Sequence, residues 1–448
     1  MERRDFLKLA SLAGLGVAVG SMPFSREASA DSAEPYTGPL WVMVHCGGGW
    51  DVTSLCDPKG HTPSTDGKPQ DQTNHFPASA IIAAKSSKTG MVYAPEFIGD
   101  NQDPAAGIDP TGPNATFFDK YAKDLLILNG INCATNSHDV GTRVNWSGSL
   151  VENRPSFAAL VASAYGKDKP MAWVVNGGYD VANGVVAVTR TGNINAIQRI
   201  AYPDLFNPDD ENRPFHADEV AQRMLEARNE RQTAMLAKQH LPRIQKSMGT
   251  LFTARTGQNE LKKLKIELDK ITKGENLQGG LLGQAQLALA AYKAGICISA
   301  NMSPPAGFDT HGDSDRGQYG GRRLLTQGLD YLMTQAAELG VKIRVLVSSD
   351  FGRTPGYNMG NGKDHWAITS MMMMGDGIKG DRVIGATDEG HNALKIDPQT
   401  LAVSDSGISL KPGHIHRALR KFAGIDAAPV VQNFSIKEEE DLALFPAV

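Results

Sequence analysis

Short apolar runs, each followed by a polar or glycine-rich loop, recur along the chain. Leu40–His45, Asp124–Ile131, Met171–Val175, Ile296–Ser299 and Lys342–Ser348 are apolar over most of their length and read as strands. Between them lie segments with apolar residues at three- and four-residue steps, which read as helices: 155–165, the charged stretch 217–271, 281–294, 320–339 and 412–422. Strands alternating with helices, without a long run of alternating hydrophobicity, predict an α/β chain. The expected architecture is a mostly parallel central sheet flanked by helices on both faces. Two segments depart from this rhythm. Residues 57–114 are rich in Pro, Gly, Asp, Asn and Ser and read as an irregular surface insertion, and about 215–275 read as a charged helical insertion.

The first 30 residues follow a different pattern. Met1 to Lys8 carries Arg3 and Arg4, an apolar run follows to about Met22, and Ala28-Ser29-Ala30 closes the segment. Basic start, short apolar stretch and small-residue cleavage site describe a signal peptide. The Arg3-Arg4-x-Phe6-Leu7-Lys8 order resembles the twin-arginine signal, so export through that machinery to the periplasm or beyond is expected. Residues 31–448 are then expected to form a single domain with the two insertions.

The formal net charge is −4 over 448 residues, which gives no electrostatic footprint for nucleic acid. No later apolar run reaches the roughly 20 residues a bilayer span needs, so none is expected in the mature chain. Of the four cysteines, Cys46 and Cys56 lie in one loop region where pairing is open, while Cys133 and Cys297 read as packed core thiols. No C-x-x-C pair points to structural zinc.

In an open parallel sheet, ligands bind outside the carboxyl ends of the strands. Asp51 follows the first strand closely, Asp309 and His311 follow Ser299, and Asp350 follows the strand ending at Ser348-Ser349. Asp364 and His365 come fourteen residues later. Each of these also fits a turn or cap, and only their joint placement after strands favours a metal site. Carboxylates mixed with imidazoles suit zinc or manganese better than calcium or magnesium.

The segments Phe308-Asp309-Thr310-His311-Gly312, Ser348 to Pro355 and Gly362 to Trp366 resemble, in that order, the exported family DUF1501. The Gly47 to Asp51 loop and Asn136-Ser137-His138-Asp139 fit the same family. That family is in turn similar to the alkaline phosphatase and sulfatase superfamily, and an alkaline-phosphatase-like sheet is what the resemblance implies. It further implies one or two divalent ions, with Asp51 and Asp350 on one and Asp309, His311 and His365 on the other. Ser137 would be the nucleophile, with Thr142 a rival, and His138 an extra ligand or proton donor. Arg353 and Lys363, with Arg143 as a third, would hold a phosphate or sulfate oxyanion. Phe351 departs from the pattern, because the superfamily often places a histidine directly after that aspartate. The absence of a C-x-P-x-R sequence argues against formylglycine chemistry.

The expected function is therefore an exported metal-dependent hydrolase of small phosphate or sulfate esters. The alternative is a non-catalytic exported binding or assembly protein on the same scaffold, favoured by Phe351 and the charged helical insertion.

Overall fold

The apolar run Leu40–Cys46 forms a fully buried strand, β1, inside an eight-stranded sheet in a computed structural model of the chain. The structure describes residues 36–61, 73–98, 107–192 apart from 110 and 168, and 202–445 apart from 203–204, 208–209, 211, 243, 246, 250–251, 253–257 and 437–439. The export segment 1–30, with Arg3 and Arg4, lies outside the described residues.

The remaining strands are β2 (Leu126–Asn132), β3 (Trp173–Val175), β4 (Val188–Arg190), β5 (Ser299–Met302), β6 (Ile343–Ser349), β7 (Ile368–Gly375) and β8 (Arg382–Ile384). Their spatial order is β8-β2-β7-β6-β1-β5-β3-β4. All run the same way except β7, which is antiparallel to β6 and β2. The sheet is thus mostly parallel, as its buried apolar strands predict. The expected fourth strand is displaced: Ile296, Cys297 and Ile298 are buried ahead of the ladder, and pairing begins at Ser299. Strand β7, ITSMMMMG, was not among the expected strands.

Two buried clusters pack the two faces of the sheet. One joins Val42, Val44 and Val345 to α6 (Gly280–Lys293) and α7 (Ser314–Glu338). The other joins Trp41, Met43 and Leu346 to α3 (Phe157–Gly166) and α8 (Pro412–Phe422). The alternating sides of β1 residues follow from strand geometry, and helices on both faces follow from the crossovers of a parallel sheet. Helix α7 starts six residues before the expected 320, and its Gly321 packs against Phe308, where a Cβ would lie 2.7 Å from the ring.

The segment 57–114 is not simply a surface insertion. Phe76, Met91, Tyr93 and Phe97 are buried, Glu96 pairs with buried Arg322, and α1 (Pro113–Tyr121) closes the segment. The charged stretch divides into α4 (Asp218–Ala237) and α5 (Gln258–Thr272). Helix α5 buries Leu261, Leu264, Leu268 and Ile271, whereas α4 buries none of its residues. All four cysteines are buried and free, so Cys46 and Cys56 are not bonded to each other. Tyr36–Val448 forms one compact unit, and no described helix is long and apolar enough to cross a membrane.

Candidate metal centre

The carboxyl ends of β1 and β6 lie side by side in register, Cys46 opposite Ser349, so the Gly47-Gly48-Gly49 loop meets Asp350. Asp350 is 2% exposed. Its Oδ1 accepts from Gly49 N at 2.5 Å, Gly48 N at 3.1 Å and Ser349 Oγ at 2.7 Å. The tightness demands glycine: Gly48 has φ +108°, and a Cβ there would fall 2.4 Å from Asp309 N. The second oxygen of Asp350 accepts from His138 Nδ1. His138 opens α2 (His138–Ser147), a helix in a segment expected to be loop. Helix α2 approaches Asp350 closely, and a Cβ on Gly141 would meet the Asp350 carbonyl at 2.2 Å.

His311 and His365 are held in the same manner. His311 Nδ1 lies 2.8 Å from Asp364 Oδ1, and His365 Nδ1 lies 2.7 Å from the Asn136 carbonyl. A carboxylate and a carbonyl only accept, so each Nδ1 carries a proton, and such a ring when neutral has its lone pair on Nε2. Those two Nε2 atoms face each other at 2.9 Å. Asp309 completes the group, its Oδ1 at 3.1 Å from His311 Nε2 and 3.4 Å from His365 Nε2, and its Oδ2 at 3.6 Å from His138 Nε2. Ligand atoms of His138, Asp309 and His365 lie within 4.8 Å of one another.

Two lone pairs at 2.9 Å repel unless a cation lies between them. A shared proton relieves one pair, but the Asp309 carboxylate lies within 3.4 Å of both Nε2 atoms and brings His138 Nε2 to within 3.6 Å of its other oxygen. This donor set, with every Nδ1 anchored to an acceptor, matches how metal-binding histidines are oriented. Burial tends to raise Asp309, but the hydrogen bond and charge of Arg353, helped by His138 and His311, hold its carboxyl below the ordinary range. Asp364 is likewise held low, chiefly by its bond from His311.

The structure divides the expected residues into two groups. Asp309, His311 and His365 come together as expected, and His138 joins them as a fourth candidate ligand. Asp350 and Asp364 instead orient His138 and His311 through Nδ1. Asp51 does not turn its carboxylate towards Asp350. Its Oδ2 lies 2.7 Å from Lys363 Nζ, both side chains being buried, so an ammonium stands where an ion shared with Asp350 was expected. Lys363 also donates to Asn74 Oδ1 at 3.0 Å and Thr53 Oγ1 at 3.3 Å. Burial opposes the Asp51 charge, but Lys363 and Thr53 outweigh it and hold the carboxyl low.

Arg353 is fully buried. It donates to the carbonyls of Gly48, Gly49 and Lys363 and to Asp309 Oδ1 at 2.5 Å. Neither Arg353 nor Lys363 therefore suits the oxyanion role expected of them: their donors already meet protein acceptors away from solvent. Phe351, also fully buried, fills the position where a histidine was expected. Its ring lies 4.8 Å from that of His138 and 4.5 Å from that of His365, forming a floor beneath both. Ser137 is exposed at the N-cap of α2, and its side chain caps no first-turn amide. The signal for α2 was present in Ser137 before Asp139 in the first turn, but Gly141 and Asn145 masked it.

A family model described as protein of unknown function (DUF1501) matches residues 40–405, a span that contains every residue of this cluster. No curated protein matches. Among solved structures, that of Ps i-CgsB in complex with k-i-k-neocarrahexaose is similar at 8% identity and a TM-score of 0.35, covering 91% of this chain and 75% of that one. At that level the likeness carries no argument for function.

Proposed function

The chain belongs to the DUF1501 family, and we propose that it is an exported metal-dependent hydrolase of phosphate or sulfate esters. His138, Asp309, His311 and His365 would hold one divalent ion, of the zinc or manganese type given three imidazoles and one carboxylate. The reading is carried by the 2.9 Å approach of His311 Nε2 to His365 Nε2 while both Nδ1 atoms are engaged elsewhere. A second ion on Asp51 is dropped, because Lys363 neutralises that carboxylate.

An ion of this kind supplies Lewis acidity and lowers the pKa of a bound hydroxyl or water. The chain's own residues set the rest. Asp350 and Asp364 fix two imidazoles, Arg353 fixes Asp309, and Phe351 keeps water from beneath the rings. Ser137, next to His138 and exposed, is the nucleophile of this proposal. Since Ser137 leaves the first-turn amides of α2 uncapped, the helix N-terminus is available to an anionic ester group. The alkaline phosphatase and sulfatase likeness remains part of the proposal, carried by the motif order alone. Export through the twin-arginine route, to the periplasm or beyond, belongs to it as well. Four buried free thiols are what a protein folded in a reducing compartment before export would keep.

Aryl phosphate and aryl sulfate esters offered to metal-loaded protein test the activity. Turnover abolished by Ser137→Ala with metal content retained is expected. If no ester is cleaved by protein carrying a full complement of metal, the non-catalytic alternative takes its place.

A further inference from the structure

Helix α2 carries more than His138. Asp139, Thr142 and Arg143 on the same helix line an open cleft of about 370 Å³, completed by Glu152, Asn153 and the Gly178 to Val181 loop after β3. The cleft therefore begins one residue from the metal cluster. Arg143 lies about 7.5 Å further along the helix axis than His138, at about 1.5 Å per residue.

Among the described residues, Arg143 Nε is buried with no hydrogen-bond partner, and Nη1 reaches only exposed Glu152, at 3.8 Å. At 3.8 Å the Nη1 contact is an ion pair and not a hydrogen bond, so a ligand oxygen lying in the cleft between Arg143 and Glu152 can accept from the guanidinium. The surroundings decide what carries that oxygen. Asp139 and Glu152 are acceptors, Asn153 and Thr142 offer both roles, and Tyr179 donates to the Arg154 carbonyl at 2.7 Å, which leaves its oxygen free to accept. Asp180 is paired with Arg190. An anion placed at Arg143 would meet the carboxylates of Asp139 and Glu152, the second already sharing the guanidinium. A hydroxyl both donates and accepts, and satisfies both kinds of group.

We infer that this cleft is a subsite for a polyhydroxylated, sugar-like group, with Arg143 as the central donor and Asp139 and Glu152 as acceptors. This rests on the proposed hydrolase, since it makes the alcohol side of the ester a sugar or polyol, but the binding itself does not require metal.

The test is binding of neutral gluco-, galacto-, manno- and xylo-oligosaccharides to the mature chain, read by microarray and titration calorimetry. At least one should bind, with affinity retained after chelation. Arg143→Met should weaken it at least tenfold and leave metal content unchanged. Glu152→Gln, at an exposed site where folding is not at risk, should also weaken it. Binding to none of the panel, or binding indifferent to both variants, overturns the inference. So does binding of inorganic sulfate or phosphate in the cleft, abolished by Arg143→Met, without sugar binding. Metal content measured on the same samples reports separately on the proposed metal centre.

Discussion

Lys363 Nζ lies 2.7 Å from Asp51 Oδ2, with neither side chain open to solvent. Two sequence-distant residues thus neutralise each other beside the cluster, and Tyr357 covers the ammonium at 4.9 Å. Breaking such a pair leaves a charge stranded in a low dielectric. Lys363→Met should destabilise the fold by about 3–5 kcal/mol. Adding Asp51→Asn should restore part of the loss, because the stranded charge disappears. Urea unfolding of wild type, single and double variants checks this, and simple additivity would contradict it.

Asp364 offers a different separation of stability from function. Its side chain is 57% exposed, and it holds His311 through Nδ1 at 2.8 Å. Asp364→Ala should change unfolding stability by only about 0.5 kcal/mol. Metal affinity, measured by competition with a chelator, should fall about 10–100-fold because the imidazole loses its orienting acceptor.

Acid should weaken the fold through buried neutral histidines. Burial lowers the His416 pKa from 6.5 to about 3, and His45 and His391 shift the same way for the same reason. Between those values the unfolded chain binds protons that the folded chain does not, so stability falls as pH falls. Each such group adds a slope of up to about 1.4 kcal/mol per pH unit. Asp51, held below its ordinary 3.8, and Glu440, held below 4.5, add their losses only as pH falls below those values, so the decline from about pH 6.5 to 5 reports the histidines. Thermal midpoints should be level above pH 7 and decline below about 6.5. His416→Gln, which retains a donor for the Asn145 carbonyl, should show a shallower decline.

The parallel sheet was legible because buried strands declare themselves as apolar runs. Strand β7 was not: four methionines carry weak strand preference, and no alternation marks ITSMMMMG. Helix α2 hid behind Gly141, whose lack of a side chain serves its contact with Asp350 rather than a loop. At the site, Asp309, His311 and His365 were legible from residue type and placement after strands. The roles of Arg353 and Lys363 were not, because sequence shows a charge but not its burial. Each turned inward to a carboxylate, Asp309 and Asp51, that the motifs alone could equally have left for a metal or a substrate.

The central claim is that His311 and His365 approach at 2.9 Å because a divalent ion belongs between them. Elemental analysis of protein purified after export in its own cell tests this directly, alongside His311→Ala and His365→Ala. One zinc- or manganese-type ion per wild-type chain, lost in both variants, is the predicted result. Wild-type protein without stoichiometric divalent metal, or with metal unaffected by either substitution, would contradict it.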